Sequence, residues 1–383
     1  MKVPERLLLG PGPSPVSARV MQAMSSPVLS HLDPAMTTLL DEMRGSLSTA
    51  FGAGDGALSL AVSGTGTAGM EAAVANLTKP GMHALVVVGG YFGERLVQML
   101  ERYGAIVRRV SVEWGRACDP AQVERALAEQ RADLVAVVHG ETSTGVVNPV
   151  EEIARIADAH GALTIVDAVT TLGGVPLKTG RWQIDACYSC TQKGLGAPSG
   201  LAPVTFSRRA LDARAASRSF YLDIGLLEDF WVRRKYHHTI SAPLVYALHE
   251  ALATVLEEGL EPRWLRHQRH HAALAAGLDA MGLRLLPPEG ERLWTLNAVQ
   301  VPEGVDEGAV RRRLLEEFGI EIGAGLGPLA GKIWRVGLMG AGSTLGNILL
   351  LLSAFERVLR AGGYRSGSES AALAAAERVV AAV

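Results

Sequence analysis

The chain has 383 residues, of which 48% are hydrophobic and 5% are aromatic, and its formal net charge is −2 at pH 7. This length allows two domains, or one large domain and one small one. The nearly balanced charge leaves no basic surface of the kind that binds nucleic acid or an anionic membrane. We therefore expect neither of these as a partner.

The three cysteines are too few for a disulfide framework and suit a reducing compartment. The N-terminus has no apolar signal core, and no apolar run reaches the ~18 residues that a membrane-spanning helix needs, so we expect a cytoplasmic protein. Cys187 and Cys190 have C-x-x-C spacing, but no second pair lies nearby. We interpret them as structural rather than as redox-active or zinc-binding.

The ten histidines do not predict a metal site. His237 and His238 are adjacent, so their side chains would point apart on a strand, and no third ligand stands at a recognisable spacing. Three more fall on a helix that looks solvent-exposed: His267, His270 and His271.

Residues 1–20 are predicted to form an extended N-terminal arm, because residues 10–15 contain three prolines and two glycines and leave no room for a helix. Apolar residues then recur at helical spacing from Pro34 to Phe51. The strand Ala57–Val62 follows, and after it comes a turn rich in Gly and Thr that opens another helix.

That turn reads G-x-G-x-x-G at Gly64, Gly66 and Gly69, which is the dinucleotide-binding pattern. The next strand, 83–88, ends in two glycines instead of the acidic residue that would bind a ribose. A strand, a turn and a helix in this order place free N–H groups and a positive helix end around a phosphate. We interpret the turn as a site for a single phosphate, with a plain tight turn as the alternative.

Tyr91 and Phe92 come next, on a predicted turn, where an aromatic ring can stack on a flat ligand or simply pack in the core. Further strands are predicted at 105–110, 134–138, 162–166 and 185–190, and helices at 119–130 and 150–159. This alternation predicts an α/β fold with a mostly parallel, doubly wound sheet. Polar residues at the C-terminal strand ends would then gather at one edge.

Asp167 and Lys193 stand out at that edge. Asp167 follows an apolar strand, so its carboxylate needs a partner; a protonated pyridine nitrogen fits, and a helix N-cap is the alternative. Lys193 lies in a stretch with no other charge between Cys187 and Arg208. A desolvated amine loses its proton more readily and attacks carbonyls, although an ordinary lysine at a strand end remains the alternative.

The remaining chain predicts a smaller α+β domain. Before this domain, residues 203–206 are expected to form an edge strand. Within the domain, the glycine-rich loop 323–328 could close over a ligand. Arg335 lies among apolar residues in a strand, which suggests a carboxylate ligand or else a structural ion pair. The C-terminal residues 364–383 are expected to form a Ser-rich hinge and an Ala-rich helix. The predicted divisions are an arm at 1–20, a large domain at 21–260 and a small domain at 261–383.

Together, these motifs resemble those of class V, fold-type I pyridoxal-phosphate (PLP) aminotransferases. The chain is most similar to the alanine–glyoxylate and serine–pyruvate or serine–glyoxylate branch, over residues 6–362. The resemblance rests on LLLGPGPS (7–14), SGTGT (63–67), HGETSTG (139–145), VDAVTTLGG (166–174), SCTQKGLGAPSG (189–200), YHHT (236–239) and WRVGLMG (334–340).

The resemblance implies that Lys193 forms a Schiff base with PLP and that Asp167 contacts the pyridinium nitrogen. Other positions match residues that hold the rest of the cofactor. Thr65, Gly66, Thr67 and Gln192 match phosphate contacts, Phe92 and Val169 match residues on the two ring faces, and Thr142 matches a residue near the ring hydroxyl.

The resemblance also implies an obligate homodimer with shared active sites, because Tyr236 and Thr239 match residues that reach the neighbouring subunit's cofactor phosphate. Arg335 matches the arginine that binds the substrate α-carboxylate, and Gly12 matches a position lining the substrate pocket. The implied reaction is a ping-pong transamination from alanine or serine to glyoxylate or pyruvate.

Other functions are weighed against this one. A cysteine desulfurase needs a nucleophilic cysteine late in the chain, and there is none after Cys190. A nicotinamide-dependent dehydrogenase, a catalytically silent PLP protein and another aminotransferase specificity are the remaining alternatives. With no second arginine at the predicted edge besides Arg335, small neutral amino donors are favoured over dicarboxylates.

Overall fold

The computed structural model describes residues 3–364 and 370–381. Most of the predicted Ser-rich hinge lies outside these residues. The predicted Ala-rich helix is present at Ala371–Ala381. None of the described helices is both long enough and apolar enough to cross a membrane.

The strands are, in chain order, β1 (Leu7–Leu8), β2 (Leu58–Ser63), β3 (His83–Val88), β4 (Ile106–Ser111), β5 (Leu134–Val138), β6 (Gly140–Glu141), β7 (Val146–Val147), β8 (Leu163–Asp167), β9 (Ala186–Tyr188), β10 (Leu201–Phe206), β11 (Leu296–Gln300), β12 (Ile320–Glu321), β13 (Gly323–Ala324) and β14 (Ile333–Gly337). The α-helices are α1 (Ala18–Ala23), α2 (Pro34–Phe51), α3 (Gly66–Leu77), α4 (Tyr91–Arg102), α5 (Pro120–Glu129), α6 (Val150–Ala159), α7 (Arg208–Ala213), α8 (Ile224–Trp231), α9 (Ala242–Glu258), α10 (Leu260–Ala280), α11 (Glu307–Phe318), α12 (Leu345–Ala361) and α13 (Ala371–Ala381).

A seven-stranded sheet with the order β2-β10-β9-β8-β5-β3-β4 forms the centre of the fold. All of its strands run parallel except β10, which is antiparallel to both of its neighbours. The inner strands β5 and β8 are buried along their whole length, as expected when helices cover both faces of a parallel sheet. The prediction of an α/β fold with a mostly parallel, doubly wound sheet is confirmed.

The prediction that residues 203–206 form an edge strand is wrong, because β10 pairs with strands on both sides. Pro203 is nevertheless compatible with this position. Its carbonyl accepts a hydrogen bond from Ser189 N–H, one residue beyond the end of β9. The N–H and C=O of a residue in an antiparallel strand point to the same side, so the missing N–H of Pro203 falls where β9 has already ended.

A second, three-stranded antiparallel sheet has the order β11-β14-β13. The predicted loop 323–328 is therefore shorter than expected, since Gly323 and Ala324 pair with β14. The predicted arm is also more structured than expected: Leu7–Leu8 pair in parallel with β12, and helix α1 begins before residue 20. Residues 10–15 lie in neither a helix nor a strand, as their prolines and glycines predict.

The buried apolar side chains fall mainly into two hydrophobic clusters. The first draws on residues 36–255, and the second on residues 273–376 together with Leu9 from the arm. The predicted divisions near residues 20 and 260 stay a prediction. Leu9 anchors the arm in the second cluster, and the residues after it run back toward the large sheet.

Candidate active site

The parallel strands bring their C-terminal ends to one edge of the large sheet, where a cavity of about 280 Å³ opens. Its lining consists of Gly12, Pro13, Thr65, Gly66, Thr67, Met70, Phe92, Arg95, Asp167, Val169, Gln192, Lys193 and Ser199. Nine of the thirteen site residues predicted from the sequence belong to this set. Thr142, Arg335, Tyr236 and Thr239 do not.

The start of helix α3 forms one end of the cavity. Thr65 is the N-cap residue, and its side chain makes no capping hydrogen bond, so N–H groups of the first turn remain available for an anion. Arg95 adds positive charge here: its Nη1 donates to Thr67 Oγ1 at 3.2 Å. Gln192 also lines the cavity, where its side-chain NH2 group can donate to an anion. This end of the cavity suits a phosphate.

Asp167 is the last residue of β8, and its carboxylate is buried. Its Oδ1 accepts from Val169 N–H at 2.8 Å, and its Oδ2 accepts from the Tyr188 hydroxyl at 2.9 Å. Burial raises the pKa of Asp167 to about 6, although these two hydrogen bonds act in the opposite direction. The N-cap alternative does not apply, because the next described α-helix begins at Arg208. Since no cationic side chain among the described residues pairs with it, the carboxylate is placed to meet a cation from outside the chain.

Lys193 lies five residues after the end of β9 and is only 9% exposed. Its Nζ donates to the carbonyl of Pro11 in the arm. Burial is the main reason that the pKa of Lys193 is lowered. The next arm residue, Gly12, has φ +113°, and a Cβ there would lie 2.8 Å from Lys193 Cε. Only glycine fits this close approach, and the result is a desolvated amine facing the cavity.

Arg335 lies in the middle of β14, and its side chain is almost fully buried. Its Nε donates to the Ala324 carbonyl at 2.6 Å, and its Nη1 donates to the Thr142 carbonyl at 3.3 Å. Burial lowers its pKa to about 10. The alternative of a structural ion pair is not supported, because no carboxylate of the described chain forms a salt bridge with it. The charge of Arg335 also helps to lower the pKa of Lys193.

Three other predicted residues lie away from the cavity lining. Thr142 is buried and shares a hydrogen bond with the Thr170 hydroxyl. Tyr236 is 65% exposed, and Thr239 is also exposed. The described chain by itself does not bring these last two residues to its own cavity.

Phe92 lines the cavity from the first turn of α4, not from a separate turn as the sequence predicted. Tyr91 is 42% exposed and does not belong to the lining. A helix that begins at Tyr91 places Arg95 one turn from Phe92, with its guanidinium carbon 4.9 Å from the centre of that ring. The sequence contains no signal for Arg95, because its approach to Thr67 depends on where α4 lies relative to α3.

Glu141 was missed as well. Its buried carboxylate accepts hydrogen bonds from the N–H groups of Phe92, Gly93 and Ser143 and from the Ser143 hydroxyl. It therefore caps the start of α4 and holds Phe92 against the cavity. The HGETSTG stretch contained this carboxylate, but nothing in the sequence indicated which helix it would reach.

The helix with clustered histidines was predicted to be solvent-exposed, and this is wrong. His267, His270 and His271 are all buried, and each has a protein hydrogen-bond partner. Within residues 3–364 and 370–381, no group of three or more His, Cys, Asp or Glu side chains is arranged to hold a metal ion.

A family model described as aminotransferase class-V matches residues 7–335. The chain belongs to the class V aminotransferases. It is 41% identical to the (S)-ureidoglycine–glyoxylate transaminase of Bacillus subtilis, over 93% of this chain and 91% of that protein. The alanine–glyoxylate aminotransferase of Drosophila melanogaster is 36% identical, over 94% of this chain and 93% of that protein.

Solved structures agree with this assignment. The B. subtilis ureidoglycine–glyoxylate aminotransferase superposes with a TM-score of 0.97, covering 100% of this chain and 99% of that one. The alanine–glyoxylate aminotransferase from Nostoc sp. is 46% identical with a TM-score of 0.92, covering 94% of this chain and 97% of that one. Class V aminotransferases of this kind depend on PLP, and this protein is a PLP-dependent transaminase.

The residues present fit that cofactor. The uncapped start of α3 suits its phosphate, and the unpaired Asp167 carboxylate suits its ring nitrogen. The G-x-G-x-x-G pattern has a different setting from a dinucleotide site: β2, which precedes it, lies at the sheet edge beside antiparallel β10 and not next to β3.

The raised pKa of Asp167 predicts a pH dependence of stability in the cofactor-free protein. A raised carboxyl pKa gives stability that is present below the unfolded value of about 3.9 and is lost as pH rises through about 6. We therefore expect Asp167→Asn to become more stable relative to the wild type between pH 4 and 7, by up to about 3 kcal/mol. Urea unfolding across this pH range measures the difference. Asp212→Asn, at an exposed aspartate, is the control, and parallel curves for Asp167→Asn and the wild type would contradict the prediction.

Proposed function

We propose that this protein transfers the amino group of a small amino acid, alanine or serine, to glyoxylate or pyruvate in a ping-pong reaction. The observation that carries this proposal is a set of three buried ionisable side chains that have no ion-pair partner in the described chain. They are Asp167, Lys193 and Arg335. Burial of unpaired charges is unfavourable unless a ligand completes them, and an amino acid with PLP supplies the missing groups.

Each side of the cavity has a proposed part in holding PLP. Lys193 Nζ would bind its aldehyde carbon, and Asp167 would accept the proton of its ring nitrogen. Phe92 and Val169 would contact the two ring faces, while the start of α3 and Gln192 would hold the phosphate. When bound, PLP withdraws electrons from the α-carbon of the substrate.

Lys193 is proposed to move the proton of the reaction. Its lowered pKa gives a neutral amine at a higher fraction than an exposed lysine would have. With an amino acid and PLP bound, the free Nζ would take the proton from the substrate α-carbon and return it to the former aldehyde carbon of PLP, two bonds away. The close contact with Gly12 restricts the Lys193 side chain and keeps Nζ facing the cavity.

Arg335 is proposed to bind the substrate carboxylate, because its guanidinium is buried and forms no ion pair with the described chain. The structure corrects the expectation that no second arginine lies at the site, since Arg95 lines the cavity. Arg95 is engaged with Thr67 at the phosphate end, however, and stacks over Phe92. One unpaired arginine therefore still favours substrates with a single carboxylate.

Glyoxylate is the acceptor in the names of the B. subtilis, D. melanogaster and Nostoc proteins. Their donors differ: the B. subtilis protein is named for (S)-ureidoglycine, and the Nostoc protein for alanine. (S)-Ureidoglycine is accordingly a second candidate donor, supported by 41% identity across almost the whole of both chains. It too carries a single carboxylate for Arg335.

The role of Lys193 predicts the result of a single substitution. Lys193→Ala removes the amine that would bind the cofactor, so we expect loss of the long-wavelength absorbance band of lysine-bound PLP and loss of turnover by about 10³-fold or more. Lys178→Ala is the matched control, because Lys178 is partly exposed beside Glu261. A normal band and full turnover in Lys193→Ala would refute the proposed site.

The single-carboxylate assignment predicts the order of substrates. In a screen of donors against three acceptors, we expect glyoxylate and pyruvate to give a kcat/KM at least about tenfold higher than 2-oxoglutarate, since a second carboxylate would be buried unpaired. Arg335→Gln should raise the KM for every donor. Arg312→Gln is the control, because Arg312 is exposed. Arg266 is not suitable for this purpose, since it donates to the Ser343 carbonyl.

A preference for 2-oxoglutarate in this screen would overturn the single-carboxylate assignment. A clear preference for (S)-ureidoglycine over alanine and serine would select the second candidate donor. Both results leave the role of Lys193 to its own test.

We also propose a homodimer in which each subunit completes the other's site. Large apolar side chains remain exposed on residues 28–32 and on residues 220–236. Tyr236 connects the two stretches, because its ring packs against the His31 ring. The exposed members are Val28, Leu32, Phe220, Tyr221 and Tyr236. Such a surface is typical of an interface.

Cytoplasmic location is proposed too, since the three cysteines are buried and unpaired.

A mixing experiment tests the shared sites. Lys193→Ala and the double substitution Tyr236→Phe with Thr239→Val would each impair a homodimer, through opposite halves of the site. In a hybrid dimer, one site receives intact residues from both chains, so we expect activity well above that of either parent, approaching about half of the wild type. No recovery in hybrids of confirmed dimeric mass would contradict shared sites.

A further inference from the structure

Three glycine-containing loop segments meet behind the active site. They are residues 172–174, which follow Asp167, residues 194–196, which follow Lys193, and residues 340–343, which follow β14. A Cβ at Gly194 would lie 2.3 Å from the Leu172 carbonyl oxygen, and one at Gly340 would lie 3.3 Å from the Gly194 carbonyl oxygen. The three segments therefore pack backbone against backbone.

Backbone packing of this kind leaves carbonyl groups that no strand neighbour can satisfy. Helix α10 supplies the donors. Arg263 Nε donates to the Gly173 carbonyl at 2.9 Å, and Arg263 Nη2 donates to the Gly194 carbonyl at 2.8 Å. One guanidinium thus connects the segment after Asp167 to the residue directly after Lys193.

The next turn of the same helix contacts the third segment. Arg266 Nη1 donates to the Ser343 carbonyl at 2.7 Å and to the Gly340 carbonyl at 3.3 Å. His267 Nε2 accepts from Gly340 N–H at 3.2 Å, and its Nδ1 donates to the Arg263 carbonyl at 2.8 Å. These partners require a neutral imidazole, and burial lowers the pKa of His267 to about 3.

Glu258 pairs with both guanidinium groups and offsets one of their two positive charges. It accepts from Arg263 Nη1 and, at 3.0 Å, from Arg266 Nη2. Burial alone would raise the pKa of Glu258, but the two arginines outweigh it and the pKa is lowered. Both guanidinium groups already donate to Glu258 and to backbone carbonyls, so the cluster is not arranged around an anion from outside. The guanidinium N–H groups that do not contact Glu258 donate to loop carbonyls, which indicates a role in positioning those loops.

We propose that Glu258, Arg263, Arg266 and His267 form a positioning cluster that fixes the loops after Asp167, Lys193 and β14 relative to one another. Arg263 is its central member, because a planar fork spans two carbonyls that a single ammonium group could not reach together. The inference rests on the proposed role of Lys193. It assigns to α10, which contributes no residue to the cavity lining, control over where Lys193 Nζ lies.

Arg263→Gln tests the cluster, with Arg269→Gln as the matched control on the same helix. In cofactor-free protein, hydrogen exchange of peptides covering 172–174 and 193–197 should be about tenfold faster in Arg263→Gln and unchanged in the control. In the loaded enzyme, kcat should fall by about 10- to 100-fold, because a displaced amine loses its alignment with the α-carbon. The donor KM, set by Arg335, should change by less than about threefold.

Two further readouts separate positioning from general stability. The pH midpoint of the lysine-bound PLP band should shift by about half a unit or more in Arg263→Gln, because the surroundings of Nζ change. Arg263→Lys should give kcat and exchange values between those of Arg263→Gln and the wild type. Wild-type exchange and kcat in Arg263→Gln would overturn the proposal, and so would faster exchange spread evenly over the whole chain.

Failure of this inference is distinguishable from failure of the proposed function. The exchange difference is measured without cofactor or substrate, so it does not depend on which amino acid reacts. If Lys193 did not hold PLP, Lys193→Ala would keep its absorbance band whatever the Arg263 variants show.

Discussion

The site depends on a carboxylate that the fold buries without giving it a cation. Asp167 ends a strand that is enclosed on both faces, and it receives only the Val169 N–H and the Tyr188 hydroxyl. These two donors do not offset the loss of water, which is why its pKa stays raised. In the proposed complex a cationic ring nitrogen would remove that cost, so the burial that weakens the empty protein would favour the bound cofactor.

Lys193 and Arg335 complete the same arrangement with opposite charge. Each is buried, each donates to backbone carbonyls, and neither pairs with a carboxylate of the described chain. Their mutual repulsion contributes to the lowered pKa of Lys193. The arm connects the two, since Pro11 accepts from Lys193 while Leu9 packs in the cluster that contains β14. Chemistry at one sheet edge is thereby tied to residues from both hydrophobic clusters.

The sequence was sufficient to predict candidate site residues whose placement follows from a single strand and its end. Asp167 could be singled out because it follows an apolar strand, and Lys193 because no other charge lies between Cys187 and Arg208. Parallel strands bring such strand ends together. It was insufficient where a side chain reaches across the fold. The link from Glu141 to α4, the approach of Arg95 to Thr67 and the pairing of β10 on both sides depend on contacts between distant residues. No local periodicity encodes such contacts.

Helix α10 shows why local polarity does not predict solvent exposure. Its arginines and histidines suggest a solvent-exposed face, yet Arg263 and His267 are buried. The cause lies in other segments: glycine-rich loops approach each other so closely that their carbonyls have no strand partner. Polar side chains from a neighbouring helix then become the only described donors to the Gly173 and Gly194 carbonyls across that junction. The buried polar face of α10 thus supplies the hydrogen bonds that the closely packed loops around Lys193 lack. The sequence of either segment alone does not predict this contact.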